Sequence, residues 1–142
     1  MDDQQRRAIE HDCTQLYARY SHALDDSDGA AVAALYAPDG VWIRPGQEFR
    51  GREVIAAAVN KRPAGVVTRH LFMNVGISVV DADHAEGKAY YMVFRHETPA
   101  ASPLPRPVPD KVERVGDYLI SFVRTGEGWR LAKVAPRRVF DS

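Results

Sequence analysis

Residues 66–80 read Val66-Val67-Thr68-Arg69-His70-Leu71-Phe72-Met73-Asn74-Val75-Gly76-Ile77-Ser78-Val79-Val80, and in this stretch the hydrophobic period becomes 2. Strict alternation puts Arg69, Leu71, Met73, Val75, Ile77 and Val79 on one face of a strand and His70, Phe72, Asn74, Gly76 and Ser78 on the other. His70 is therefore expected to point away from the most aliphatic face. The same period continues through Glu86 to His96, Val115 to Thr125 and Trp129 to Arg137. Asp81-Ala82-Asp83 and Gly126-Glu127-Gly128 punctuate these runs as turns. Between Thr98 and Asp110, Pro99, Pro103, Pro105, Pro107 and Pro109 forbid a regular ladder, so a stiff extended loop is expected there, placed to close over a pocket mouth.

Upstream of residue 66 the period is helical. Ile9, Cys13, Leu16, Tyr17, Tyr20, Ala23 and Leu24 fall on one stripe of a helix from Gln5 to Leu24. Asp25 to Gly29 breaks it, and Asp28 is placed to cap a short second helix carrying Val32, Leu35 and Tyr36. Pro38-Asp39-Gly40 reads as the turn that ends that helix, Val41 to Arg44 as a short strand, Pro45-Gly46 as a turn, and Gly51 to Asn60 as a third helix. Helices followed by mainly antiparallel strands indicate an α+β domain.

The chain's 142 residues suit one domain over its full length, since a domain of this size buries roughly 70% of its unfolded surface. Apolar residues at 45% and charged residues at 27% are globular usage and exclude a disordered protein. Nineteen basic residues balance nineteen acidic ones, so no net field draws the chain to nucleic acid or an anionic membrane, and a small apolar or weakly polar partner is expected. Cys13 is the only cysteine, which excludes an internal disulfide and a cysteine-based zinc cluster. The polar start, Met1 to Arg6, precedes no apolar signal region, and no run of about eighteen apolar residues exists, so a cytoplasmic location is expected.

Tyr17-Ala18-Arg19-Tyr20-Ser21-His22-Ala23-Leu24-Asp25, followed by Leu35-Tyr36-Ala37-Pro38-Asp39-Gly40, resembles the start of the SnoaL-like branch of the NTF2-like superfamily. Arg69-His70-Leu71-Phe72-Met73-Asn74 resembles its histidine strand, and Gly116-Asp117-Tyr118 with Gly128-Trp129-Arg130-Leu131 resembles its closing strands. The resemblance implies an α+β cone: three N-terminal helices packed on a strongly curved, mostly antiparallel sheet that encloses a pocket. Scytalone dehydratase and hexachlorocyclohexane dehydrochlorinase, within this superfamily, have an aspartate after the first helix and a histidine on the long strand; the matching residues are Asp25 and His70. Three positions depart from those relatives. Arg44 stands where the dehydratase has a pocket tyrosine, His96 lies one residue out of register with its second histidine, and Tyr20 lies near the dehydrochlorinase's lysine.

By that resemblance, Asp25 and His70 are the candidate catalytic pair of a cofactor-independent lyase or isomerase of dehydratase, dehydrohalogenase or cyclase type, acting on a small apolar cyclic or polyketide-like molecule. An imidazole titrates near neutrality and takes a proton from carbon when a carboxylate fixes its tautomer. Both residues have an ordinary structural alternative: a strand histidine is often bonded at a sheet edge, and Asp26 and Asp28 compete with Asp25 for capping. The candidate substrate-binding residues are Tyr20, Trp42, Arg44, Phe72, Asn74, Tyr91, His96 and Tyr118, of which Arg44 and His96 are placed to stabilise developing charge. The aromatic members serve equally as core packing. No phosphate loop, nucleophile elbow or HExxH pattern occurs, so neither cofactor nor metal is expected. The superfamily also includes non-catalytic ligand-binding domains and assembly subunits such as the small subunit of ring-hydroxylating dioxygenases, and a homo-oligomer, dimer or trimer, is expected.

Overall fold

The computed structural model describes residues 1–107 and 111–141. Helices α1 (Asp3–Asp25), α2 (Gly29–Leu35) and α3 (Arg52–Asn60) accompany strands β1 (Tyr36–Arg44), β2 (Gln47–Arg50), β3 (Val66–Val79), β4 (His84–Glu97), β5 (Arg114–Thr125) and β6 (Gly128–Asp141). The strands form one curved sheet in the order β2-β1-β6-β5-β4-β3. Every junction is antiparallel except that of β1 with β6. This is the expected α+β arrangement of three helices on a curved sheet.

At the start of α1, Asp2 accepts from the Gln5 amide while the Gln5 side chain accepts from the Asp2 amide, so two otherwise orphaned donors are satisfied. The stripe from Ile9 to Leu24 is buried, and α1 lies across β3 and reaches β4 and β6. The approach is close where the tyrosine crosses the sheet. A Cβ at Gly87 would stand 2.8 Å from both the Tyr17 hydroxyl and the Phe122 ring, so only glycine lets the helix settle there. Asp28 caps α2 by accepting from the Ala31 amide at 3.0 Å, and α2 packs on α3.

Three local expectations are corrected. Pro38-Asp39-Gly40 does not separate helix from strand: Tyr36 already pairs with Leu131 and Val41 with Lys133, so the tripeptide bulges within β1. Proline cannot donate to a ladder, and an irregular strand tolerates it. β2 was not expected, because Gln47-Glu48-Phe49-Arg50 has no apolar alternation; its pairing with β1 across the Gly46 turn (φ 72°) makes it a strand.

The third correction bears on the site. Asn74 adopts φ 54° and the register slips between Met73 and Gly76, so an extra residue sits in β3 opposite β4. Before the bulge, Val66, Thr68, His70 and Phe72 are the more buried residues; after it, Val75, Ile77 and Val79 are. Histidine and the downstream aliphatic residues thus share the inner face, while Leu71 is 40% exposed on the outer one. A second slip, at Ala132 of β6, likewise moves the inward set from Trp129 and Leu131 to Val134 and Pro136.

The proline-rich loop is held against the turn before β3, where Thr98 N and Arg106 Nη1 both donate to the Gly65 carbonyl. Its last three residues, 108–110, lie outside the described residues. Among the described residues no helix is long and apolar enough to cross a membrane.

Candidate active site

Asp25 is the last residue of α1, and the helix delivers its carboxylate to the start of β3. Its Oδ1 stands 2.6 Å from His70 Nδ1 and accepts from the Thr68 hydroxyl at 2.9 Å, while Oδ2 accepts from the His70 amide at 3.0 Å. A carboxylate only accepts, so the contact favours the tautomer with the proton on Nδ1, which in the neutral ring makes Nε2 the acceptor. Both side chains are largely withdrawn from water, at 14% exposure for His70 and 9% for Asp25.

Arg62, just past α3, completes the support. Its Nη1 donates to the Thr68 hydroxyl, the Leu24 carbonyl and the Ser27 hydroxyl at 3.0, 2.9 and 3.2 Å. Burial lowers the Arg62 guanidinium from its ordinary pKa, and the Asp25 charge opposes that shift. The chain Arg62 to Thr68 to Asp25 to His70 ties α1, the segment after α3 and β3 together. Asp26 and Asp28 take no part in it; Asp26 ends α1 and Asp28 caps α2.

His70 lines a cavity of about 360 Å³ between the helices and the sheet. Leu24, Trp42, Ala58, Val59, Tyr91, Val93 and Tyr118 supply its apolar wall. Burial pushes the Tyr118 phenol well above its usual pKa, and the Tyr91 phenol upward too. Cations also line the cavity: Arg44, Lys61, Arg62, Arg95, Arg114 and Arg138, with Glu113 as the acidic lining residue among those described. Arg44 lies over the Trp42 ring at 5.2 Å. Among the described residues no group of three or more His, Cys, Asp or Glu side chains is placed to hold a metal ion.

Of the substrate-binding candidates, Trp42, Arg44, Tyr91 and Tyr118 line this cavity together with His70. Tyr20, Phe72, Asn74 and His96 do not. Tyr20 is fully buried with its hydroxyl 2.8 Å from that of Tyr36, and Phe72 packs against the rings of Tyr17, Tyr20 and Tyr118. Asn74 is the exposed bulge residue. His96 falls on the opposite side of β4 from Tyr91 and Val93, and Arg95 lines the cavity in its place. None of the described residues of the proline-rich loop lines the cavity.

Sequence reasoning missed Thr68, Arg62, Arg95, Arg114 and Arg138. Thr68 was within reach, lying two residues from His70 on the same face, and Arg95 shares the parity of Tyr91 on β4. Arg62 had no sequence signal, and Arg138 is aligned only by the slip in β6.

The profile of the SnoaL-like domain matches residues 5–135. The chain belongs to the SnoaL-like domain family. No curated protein sequence matches it. Among solved structures, this SnoaL-like chain is similar to an NTF2-like protein with a cystatin-like fold from Novosphingobium aromaticivorans, at 24% identity and a TM-score of 0.73 over 98% of this chain and 84% of that one. It is similar to a scytalone dehydratase-like protein from the same organism, at 16% identity and a TM-score of 0.80 over 99% and 91%. It is also similar to hexachlorocyclohexane dehydrochlorinase LinA-type3 from Novosphingobium barchaimii, at 18% identity and a TM-score of 0.81 over 99% and 93%. At these identities the likeness establishes the NTF2-like fold.

Proposed function

We propose that the cavity is the active site of a cofactor-independent lyase or isomerase acting on a small cyclic molecule, with His70 as base and Asp25 as its positioning partner. One observation carries the reading: the 2.6 Å contact between His70 Nδ1 and Asp25 Oδ1, where His70 lines a cavity open on one side. Dehydratase-like and dehydrochlorinase neighbours of the same fold support it.

In the elimination, His70 Nε2 takes a proton from a ring carbon beside a carbonyl, the electron pair delocalises onto the carbonyl oxygen as an enolate, and it then forms a double bond to the adjacent carbon as the hydroxyl there departs. The imidazolium, stabilised by the Asp25 carboxylate, returns the proton to that hydroxyl, and water leaves. Returning the proton to another carbon of the delocalised anion gives an isomer. Arginine donors lining the cavity stabilise the negative charge formed between the two steps.

The test uses cyclic β-hydroxyketones, neutral and carboxylate-bearing, in heavy water. The expected result is deuterium at the carbon next to the carbonyl together with a conjugated enone, both slowed about a hundredfold or more in His70→Ala. Asp25→Asn, which keeps the shape and loses the charge, should lower kcat more than KM. Wild-type rates in His70→Ala, or bound ligand recovered unexchanged by the native protein, would overturn the reading in favour of a binding domain.

A further inference from the structure

The formal charges of the chain cancel, nineteen against nineteen, but they are not evenly distributed. Five arginines and one lysine line the one cavity that holds His70, against Glu113 alone among the described residues. From this asymmetry, and resting on the proposed active site, we infer that the substrate is an anionic ring compound, its ring seated on Trp42, Tyr91 and Tyr118 and its oxyanion held by the arginines.

Among the described residues, most of these cations have weak partners or none. Arg44 makes no ion pair among the described residues and stacks on Trp42. Arg114 pairs with its neighbour Glu113 at 3.4 Å, yet its Nε is buried with no hydrogen-bond partner. Arg95 and Arg138 pair with Glu97 at 3.6 Å and Asp141 at 3.0 Å, carboxylates that are 57% and 54% exposed. Pairs so wet contribute little, so a ligand oxyanion displaces them at little cost. Arg62 is the exception, since its Nη1 serves Leu24, Ser27 and Thr68.

The arrangement is also divided by polarity. Leu24, Val59, Tyr91, Val93 and Tyr118 are buried, whereas Arg44, Lys61, Arg95 and Arg138 are exposed and so form the cavity's open side. A ligand matching both parts enters ring first and leaves its charge among the guanidinium groups, whose forked donors suit a carboxylate or a phosphate alike. The trapped charge would fix the ring against His70, which the neutral wall alone cannot do.

Binding can be read without turnover, by Trp42 fluorescence and calorimetry with β-naphthoate, β-naphthyl phosphate and β-naphthol on the intact protein. Either anion is expected to bind about tenfold or more tighter than the naphthol, with the advantage shrinking as salt rises. Arg44→Gln and Arg114→Gln should each lower anion affinity severalfold and leave naphthol binding unchanged, while Arg124→Gln, which removes the same charge away from the cavity, changes neither. The carboxylate and phosphate arms separate the two oxyanions. Equal affinity for naphthol and both anions, or equal losses for all three ligands in the variants, would overturn the inference while leaving the lyase reading intact. Anion preference with undiminished turnover in His70→Ala would instead sink the lyase reading and leave this one standing.

Discussion

Thr68 shows how much of the site is invisible as motif. It is 3% exposed, and its hydroxyl bridges Arg62 Nη1 and Asp25 Oδ1. Thr68→Val keeps the shape and leaves both charged groups one partner short, so a loss of about 1–2 kcal/mol is expected from urea unfolding. The carboxylate still holds His70 through its ring and its amide, so ligand affinity should change little. Asp25 and His70 were legible because the resemblance lies on them. The basic residues were legible only in part: Arg44 stood out, Arg95 was hidden behind its neighbour His96, and nothing local distinguished Arg114 or Arg138 from surface arginines.

At the scale of the element, β3 carries the main difference between pattern and structure. A period of 2 read straight through residues 66–80 puts His70 opposite the aliphatic residues, and the bulge at Asn74 reverses that after one residue. Asparagine tolerates φ 54° because its short polar side chain suits the left-handed region, whereas a β-branched residue there is strained. Asn74→Val should therefore cost about 1–2 kcal/mol in thermal or urea unfolding, and Asn74→Gly should not destabilise the strand. Loss of the bulge would turn either His70 or Val75, Ile77 and Val79 outward. Helix positions were read well because caps and apolar stripes are local, and β2 was missed because a polar edge strand is defined by its partner.

Across the whole molecule, the core is rich in tyrosine. Burial pushes Tyr20, Tyr36 and Tyr118 well above the ordinary phenol value, and Tyr17 upward as well. A raised folded pKa means that above about pH 10 the unfolded chain loses protons that the folded chain keeps, so stability is full below that pH and falls as pH rises. The expected slope is about 1.4 kcal/mol per pH unit for each buried tyrosine, read by denaturation between neutral and strongly alkaline pH. The tyrosinate absorbance of these four buried tyrosines should appear together with unfolding, separate from any contribution of Tyr90, which is 50% exposed.

By itself the sequence determined the order of the helices and of the strands other than β2, the Asp28 cap and the family, because period, capping chemistry and motif order are properties of neighbouring residues. It also named the aspartate and the histidine. Only the tertiary structure decided that they meet at 2.6 Å, which residues share their cavity, and that a chain without net charge gathers cations around one site. The physical reason is common to all three: facing depends on bulges and on pairing between distant strands, and a local charge depends on which distant side chains the sheet's curvature brings together.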